Sequence, residues 1–454
     1  MEGSGILRLL EKYGQTHIID HLITLPGKKR ELLLENLKRV DFAFINKIYS
    51  EEKSKRKEPL SLKDLMPPEV IKRPSKDEER ATERRARVLG EELLKQKKVA
   101  CLLVAGGQAT RLGLNSPKGF FSITPVKNKT FFQLFAERIF AISKKYETRI
   151  PFLVMTNPES SVEVYRFFED NKFFGLEKDD LIIFEQDMLP VLTRDGKIVL
   201  KNETEVLFSP NGHGNSIKKL CELGIVDTLR DEGFEYLFYF QVDNPLVKIA
   251  DPVFLGYHRM YGADVSIKVV RRREGEKMGV YLKVAGKPAV IEYSELSPYL
   301  SSVRDENGEL KFWAGNTAMH VFSIEFIRRI KENLSDLPYH LAEKKVLIDG
   351  RYMDVVKFET FVFDSFRWAD KVCALEVLRE EEFSPVKDKD GPSSPHAARK
   401  AMSDLYKKWL QSIGIEVRSD VYVEISPLFA LDFEECSEKL KGKHLRIEKD
   451  TYIG

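Results

Sequence analysis

From residue 99 onward the chain alternates short, unbroken apolar runs with longer stretches whose apolar residues recur every three or four positions. The series reads VACLLVA, FFQLFAERIFAI, IPFLVMT, SVEVYRFFEDNKFFG and DLIIFEQ. Such alternation of buried strands and amphipathic helices forms βαβ units, and βαβ units build a mainly parallel sheet. Further strands are expected at YLFYFQVD (236–243), ADVSIKVV (263–270), GVYLKV (279–284) and ETFVFDSF (359–366). Before residue 50 the spacing is helical instead: Ile6, Leu9, Leu10, then Ile18, Ile19, Leu22, Ile23, then Leu33, Leu34, Leu37. Between them lie EEKSKRKEP and EERATERRAR, where both charge signs are interspersed, as in a solvated helix or connector. KDKDGPSSPH (387–396) reads as a loop, followed by a helix, AARKAMSDLYKKWLQS, and a short strand-rich tail containing VYVEISPLF. The expected organisation is a helical region over 1–95, an α/β domain over 96–386 and a small β-containing domain over 387–454.

A chain of 454 residues exceeds what one core usually serves, which fits roughly two or three domains. Its 73 Lys+Arg nearly balance 71 Asp+Glu, against the strongly basic domain that a nucleic-acid partner would call for. Cys101, Cys221, Cys373 and Cys436 are far apart with no CxxC pair, so neither a zinc nor a redox motif is present, and a reducing compartment is expected. No apolar run approaches the ~20 residues that span a bilayer, and MEGSGILRLLEK has no secretory pattern. The expectation is a cytosolic protein with no membrane partner.

The run VACLLVA delivers a loop, AGGQATRLGLNSPKG, rich in glycine and cations. A strand, a glycine-rich loop and a helix form a general phosphate device, because bare amides can approach the ligand and face its charge. The loop is not G-x-x-x-x-G-K-[ST], nor G-x-G-x-x-G, so it matches neither the P-loop nor the dinucleotide fingerprint. What it offers is G-G-x-x-T-R-L-G followed by P-K-G. Arg111 supplies a planar fork for phosphate oxygens and Lys118 a mobile point charge, a pair suited to a triphosphate. Two other features read as structural. His17 and His21 have the i,i+4 spacing of a helical metal pair but lack a third ligand, and RRREGEK (271–277) reads as a solvated turn.

AGGQATRLG…SPKG resembles the nucleotide loop of sugar-nucleotide pyrophosphorylases, and in detail that of the UDP-N-acetylhexosamine pyrophosphorylases and related UDP-sugar enzymes. The likeness continues through EQDMLP (185–190), SPNGHGN (209–215), FQVDNPLVKIADP (240–252), MGVYLKV (278–284), IEYSEL (291–296), GNTAMHVFS (315–323), FVFDSF (361–366), VLREEEFSPVKD (377–388) and EISPL (424–428). It implies a Rossmann-like nucleotidyltransferase domain whose substrates are UTP and a sugar-1-phosphate, with Mg²⁺ or Mn²⁺ as cofactor. Arg111, Lys118 and Lys387 would be catalytic. Ala105, Gly106, Gly107, Gln186, Gly212 and Asp243 would bind the nucleotide, with Met188 near the uracil. Asp243, with Asn244 beside it, would hold the metal. His213, Gly279, Glu292, Asn316, Phe361 and Phe363 would contact the sugar. The aromatic pair at i,i+2 would project from one strand face. The match breaks where the acetylhexosamine enzymes carry Asn-Gly-Gly and this chain has His213-Gly214-Asn215, a sequence more like the UDP-glucose enzymes. N-acetylglucosamine-1-phosphate and glucose-1-phosphate therefore both stand as substrates. The tail after 396 is also shorter than in eukaryotic members. A non-catalytic sugar-nucleotide binder of the same fold is the alternative, disfavoured by Arg111, Lys118, Asp243 and Lys387 occurring together.

Overall fold

The apolar runs become strands of a ten-stranded mixed sheet. The structure, a computed structural model, describes residues 3–54, 60–114, 116–348, 350–443 and 445–454. Part of the charged run EEKSKRKEP, at 55–59, and Asn115 of the glycine loop lie outside the described residues. In chain order the strands are β1 (Leu65–Met66), β2 (Val99–Val104), β3 (Phe152–Thr156), β4 (Leu181–Glu185) and β5 (Tyr236–Gln241). They continue with β6 (Val265–Arg271), β7 (Val280–Val284), β8 (Lys287–Ile291), β9 (Ala314–Ser323) and β10 (Val372–Glu376). Strands β4, β3, β2 and β5 run parallel, as the βαβ pattern requires. Beyond β5 the sheet turns antiparallel through β9, which pairs with both β6 and β7. Strand β10 then lies parallel to β6.

Every residue of β3 is buried, and β2 is buried up to Leu103, because helices cover the sheet there. Phe131, Phe135 and Ile139 of helix Phe131–Tyr146 join Cys101, Leu103, Phe152, Val154, Phe238 and Phe240 in one core. Thr130 caps that helix, its side chain accepting from the Gln133 amide at 3.2 Å. EERATERRAR falls within helix Asp77–Lys95, a solvated helix with one apolar stripe, Ala86, Gly90, Leu93 and Leu94. That stripe meets helix Pro252–Tyr261 at van der Waals distance. A Cβ on Gly90 would fall 1.8 Å from the Pro252 carbonyl oxygen, and one on Gly256 would fall 1.7 Å from that of Ala86. All four cysteines are buried and unbridged. Among the described residues no helix is long and apolar enough to cross a membrane.

The chain divides into two compact units, each discontinuous in sequence. The sheet belongs to the larger, formed by 60–185, 219–332 and 366–454. The smaller is formed by 1–59, 186–218 and 333–365. In it, helices Gly3–Lys12, Thr16–Thr24, Gly27–Leu37 and Phe42–Ser54 bury Ile6, Leu10, Ile18, Leu22, Leu33 and Leu37 of the periodic residues noted above and partly bury Leu9, Ile19 and Leu34, while Ile23 stays exposed. They pack against Leu192, Ile198, Val206 and Phe358. His17 and His21 donate from Nε2 to the carbonyls of Ile198 and Glu203, each at 2.9 Å, so both rings serve the fold. A hairpin of His340–Ile348 and Arg351–Glu359 completes the smaller unit, pairing with Leu192–Thr193.

Two expectations are corrected. ETFVFDSF is not a strand: extended structure ends at Glu359, and Val362–Trp368 form a 3-10 helix. Thr360 spends its backbone on Asn211 and Gly214, while Ser365 Oγ donates back to the Val362 carbonyl, so local polar bonds close a turn. RRREGEK is not solvated throughout. Arg272 is buried and donates to the Phe312 carbonyl at 2.6 Å and to that of Ser301.

Candidate active site

In the larger unit, β2 runs through Ala105, whose amide donates to Met155 at 2.9 Å, into the glycine loop. The loop closes on itself. The Lys118 amide donates to the Gly107 carbonyl at 3.1 Å and the Ala109 amide to Ser116 at 2.9 Å. Gly106 is buried and fixed from behind by Asn157, whose Nδ2 donates to its carbonyl at 3.3 Å. Gly107 is exposed, with nothing within 4 Å of where a Cβ would stand. Arg111, on the single turn Thr110–Leu112, is also exposed.

Val386 ties three of the expected residues together. Its amide donates to the Asp243 carbonyl at 2.8 Å, and its carbonyl accepts from Lys118 Nζ at 3.0 Å. Lys387 follows directly, its amide held by the Ser393 carbonyl at 2.8 Å. Arg111 reaches Asp388 at 4.0 Å, an exposed pair worth little by itself. Burial lowers the Lys118 ammonium pKa, and Lys387 and Arg111 push it the same way, against the carboxylates of Asp243 and Asp388. Arg111, Lys118, Asp243 and Lys387 thus share one electrostatic field.

Gly279, Glu292 and Asn316 are also brought together in this unit. The Asn316 amide donates to the Gly279 carbonyl at 2.8 Å, and Glu292 Oε1 lies 3.0 Å from where a Gly279 Cβ would be. Asn316 Oδ1 accepts from the amide of Ala318, which holds a left-handed φ of 57°.

The smaller unit carries the rest. Gln186 is buried with an Nε2 that has no hydrogen-bond partner among the described residues, and Met188 begins the strand Met188–Pro190. Gly212 has φ of 84°, and a Cβ there would fall 2.5 Å from the Thr360 carbonyl oxygen, so only glycine fits. His213 Nδ1 accepts from the Val362 amide at 3.2 Å, which places the ring proton on Nε2. Burial, and to a lesser degree nearby His340, lowers the His213 pKa to about 3, so the ring is neutral. It stacks on Phe361 at 5.2 Å and 24°, and Phe363 lies 5.5 Å away. The two phenylalanines meet His213 from a turn and a 3-10 helix, not from one strand face. Sequence reasoning missed His340, which also stacks on Phe361, at 4.4 Å, and is held by Asp364 at 2.9 Å. It also missed Asn157 behind Gly106. Neither stands in a pattern that local sequence marks.

Mg²⁺ binds through one or two carboxylates and completes its shell with phosphate oxygens and water. Among the described residues no three His, Cys, Asp or Glu side chains gather as a metal cage. Asp243 alone, next to cations, fits a site completed by substrate.

A family model described as UTP--glucose-1-phosphate uridylyltransferase matches residues 41–441. A Xenopus tropicalis UDP-N-acetylhexosamine pyrophosphorylase-like protein 1 is 39% identical over 70% of this chain, which spans 66% of that protein's length. UDP-N-acetylglucosamine diphosphorylase 2 of Arabidopsis thaliana is 32% identical, with 97% of this chain and 92% of that one aligned. Among solved structures, the uridine diphosphate N-acetylglucosamine pyrophosphorylase of Trypanosoma brucei, in complex with an inhibitor, superimposes with a TM-score of 0.82 at 26% identity. That match covers 99% of each chain.

Proposed function

Since the chain belongs to the UTP--glucose-1-phosphate uridylyltransferase family, we propose that it joins UTP to a sugar-1-phosphate, giving a UDP-sugar and pyrophosphate. A phosphate oxygen of the sugar-1-phosphate forms a bond to the α-phosphorus of UTP as the bond from that phosphorus to the bridging β-oxygen breaks. The electron pair leaves with pyrophosphate. A phosphate monoester has its second pKa near 6, so the nucleophile is already largely dianionic at neutral pH and needs no general base. The protein's task is to hold two polyanions in line and neutralise charge as it moves.

The observation that carries the reading is the convergence at Val386 of Lys118, Asp243 and the segment bearing Lys387, with Arg111 in the same field. In this reading the amides of Gly106 and Gly107 face the phosphates, while Ala105, its amide held by Met155, leads the strand into the loop. Arg111 and Lys118 neutralise the triphosphate, and Lys387 holds charge that builds on the transferring group. Gln186, whose buried Nε2 has no partner among the described residues, donates to a uracil oxygen, with Gly212 also contacting the nucleotide. Gly279, Glu292, Asn316, His213, Phe361 and Phe363 address the sugar. The neutral His213 offers Nε2–H as a donor to a sugar oxygen, and Glu292 accepts from hydroxyls. Asp243 is the residue that would hold Mg²⁺ or Mn²⁺, which when bound supplies countercharge for the phosphates.

N-acetylglucosamine-1-phosphate is the leading sugar substrate, since the motifs on either side of His213 follow the acetylhexosamine pattern. The test is pyrophosphate release from UTP and Mg²⁺ with N-acetylglucosamine-, glucose-, N-acetylgalactosamine- and galactose-1-phosphate in parallel. Preference for the N-acetyl sugars is expected. Preference for glucose would assign specificity to the His213 segment, and silence with all four would refute uridylyl transfer.

A further inference from the structure

Asn244 follows Asp243 in sequence, is almost fully buried, and uses its side-chain amide in two directions. One is local: Oδ1 accepts from the Leu246 amide at 3.2 Å, closing the turn after β5. The other reaches across the fold. Nδ2 donates to the Glu382 carbonyl at 2.7 Å, 138 residues further along, and Oδ1 also accepts from the Ser384 amide at 3.1 Å, 140 residues along. A turn residue needs only the first of these. The other two grip the entrance to the segment Phe383–Lys387 from both sides of one peptide stretch.

Glu382 is itself anchored. Its carboxylate meets Lys268, whose side chain is fully buried in β6 and also bonds Asp251 at 2.7 Å. Four residues past Glu382, the segment is fastened again at Val386, to the Asp243 carbonyl and to Lys118 Nζ. Lys387 is therefore the first residue beyond a stretch clamped at Glu382, Ser384 and Val386. Two of those clamps lead to Asn244 and one to its neighbour Asp243.

We propose that Asn244 is a positioning residue for uridylyl transfer: its amide clasp sets where Lys387 stands relative to Asp243 and Lys118. The proposal rests on the functional reading above. Asn244 touches no reacting atom, and acts through the backbone of 382–386. An asparagine suits the task because it alone combines, on a short stem, one oxygen that can accept twice and a nitrogen that donates.

Asn244→Ser separates the two duties. Its hydroxyl can still close the turn to Leu246 but is too short to hold Glu382 and Ser384. Pyrophosphate release is measured for wild type, Asn244→Ser, Lys387→Ala and the double variant, with UTP concentration varied. Expected for Asn244→Ser is a kcat lower by about 10- to 100-fold, as misplacement by about an ångström produces, with the KM for UTP changed less than about 3-fold. The double variant should be no more than about 3-fold slower than Lys387→Ala, because a clasp has nothing to position once the lysine is gone. Losses that multiply in the double variant, or a raised KM with unchanged kcat, would overturn the clasp. If Asn244→Ser does not fold, Asn244→Asp replaces it. The carboxylate keeps the acceptor for Leu246 and Ser384 and sets an oxygen against the Glu382 carbonyl, and the same comparison is read. A wild type inactive with every sugar phosphate overturns uridylyl transfer and this role together. An active wild type with multiplying losses overturns the clasp alone.

Discussion

Lys268 gives the sharpest stability test. It is fully buried in β6, and its ammonium meets Asp251 at 2.7 Å and Glu382, both nearly buried themselves. At that distance and an effective dielectric of 20, one pair has a gross attraction of about 6 kcal/mol, most of which desolvation offsets. Lys268→Met keeps the side-chain length and leaves two carboxylates in the interior, with Lys248 at 3.5 Å from Glu382 and Arg87 acting on Asp251 from further off. Removing one partner of a buried ion cluster costs about 3–5 kcal/mol. The larger unit has roughly 330 residues, so at about 2.1 cal/mol/K per residue the loss corresponds to a Tm drop of roughly 4–7 °C. The pH dependence follows from Asp251. In the native protein burial raises its pKa, but Lys268 and Lys248 outweigh burial and hold it below the usual carboxylate value. A depressed carboxyl contributes stability above its unfolded pKa of about 3.9, and that contribution is lost as pH falls through the folded value. Without Lys268 burial gains ground, and protonation relieves the variant instead. The deficit of Lys268→Met relative to wild type should then be larger at pH 8 than at pH 5. Urea unfolding followed by circular dichroism at both pH values measures this. A deficit under about 1 kcal/mol, or one equal at the two pH values, would show that the ion cluster does not carry this energy.

Three further outcomes are expected. In the proposed site Lys118 is a cation whose pKa burial, Lys387 and Arg111 hold below the ordinary lysine value, so on that proposal the rate should fall on the alkaline side as this ammonium deprotonates. Lys118→Arg, with a group that stays charged, should extend that limb upward in a pH–kcat profile, and an unmoved limb would exclude Lys118 as its source. His258 is buried between Ser266 and Ser323, and burial lowers its pKa to about 3. The unfolded chain binds its proton near pH 6.5 and the folded one does not, so this histidine alone should remove about 1.4 kcal/mol of stability per pH unit below 6.5. His258→Gln should flatten the acid limb of the stability curve. Gly212→Ala, which pairs a left-handed φ with a Cβ 2.5 Å from the Thr360 carbonyl oxygen, should cost at least about 2 kcal/mol, seen as early loss of the near-ultraviolet signal from the His213–Phe361 stack.

What could be read along the chain was what neighbours in sequence decide. Strands β2 and β3 announce themselves because both faces are covered and apolar residues run almost unbroken, and the N-terminal helices because one face repeats at helical spacing. The hairpin 340–359 did not, since most of its residues are exposed and its lysines, glutamates and aspartate interrupt the apolar pattern. ETFVFDSF looked like a strand by composition, but Phe361 and Phe363 meet His213 from just before and within a 3-10 helix. Arg111, Lys118 and Asp243 stood out because each follows a strand in an otherwise apolar or glycine-rich setting. Lys268 gave no signal in ADVSIKVV, where a lysine reads as the wet face of a strand. Its carboxylate partners are 17 and 114 residues away. Asn244 likewise looks like an ordinary turn residue until the other end of its clasp is seen.

The interleaving of the smaller unit also has a consequence for its biosynthesis. Helices Gly3–Lys12 to Phe42–Ser54 leave the ribosome long before the segments that cover them, Leu192 and Val206 in one stretch and Phe358 in another. At about 5–20 residues per second, Phe358 follows Ser54 by roughly 15–60 s. For that interval Ile6, Leu10, Ile18, Leu22, Leu33 and Leu37 have only one another to hide against. The opening helices thus stand to gain from a chaperone over that interval, and slowing translation beyond residue 206 would lengthen their exposure.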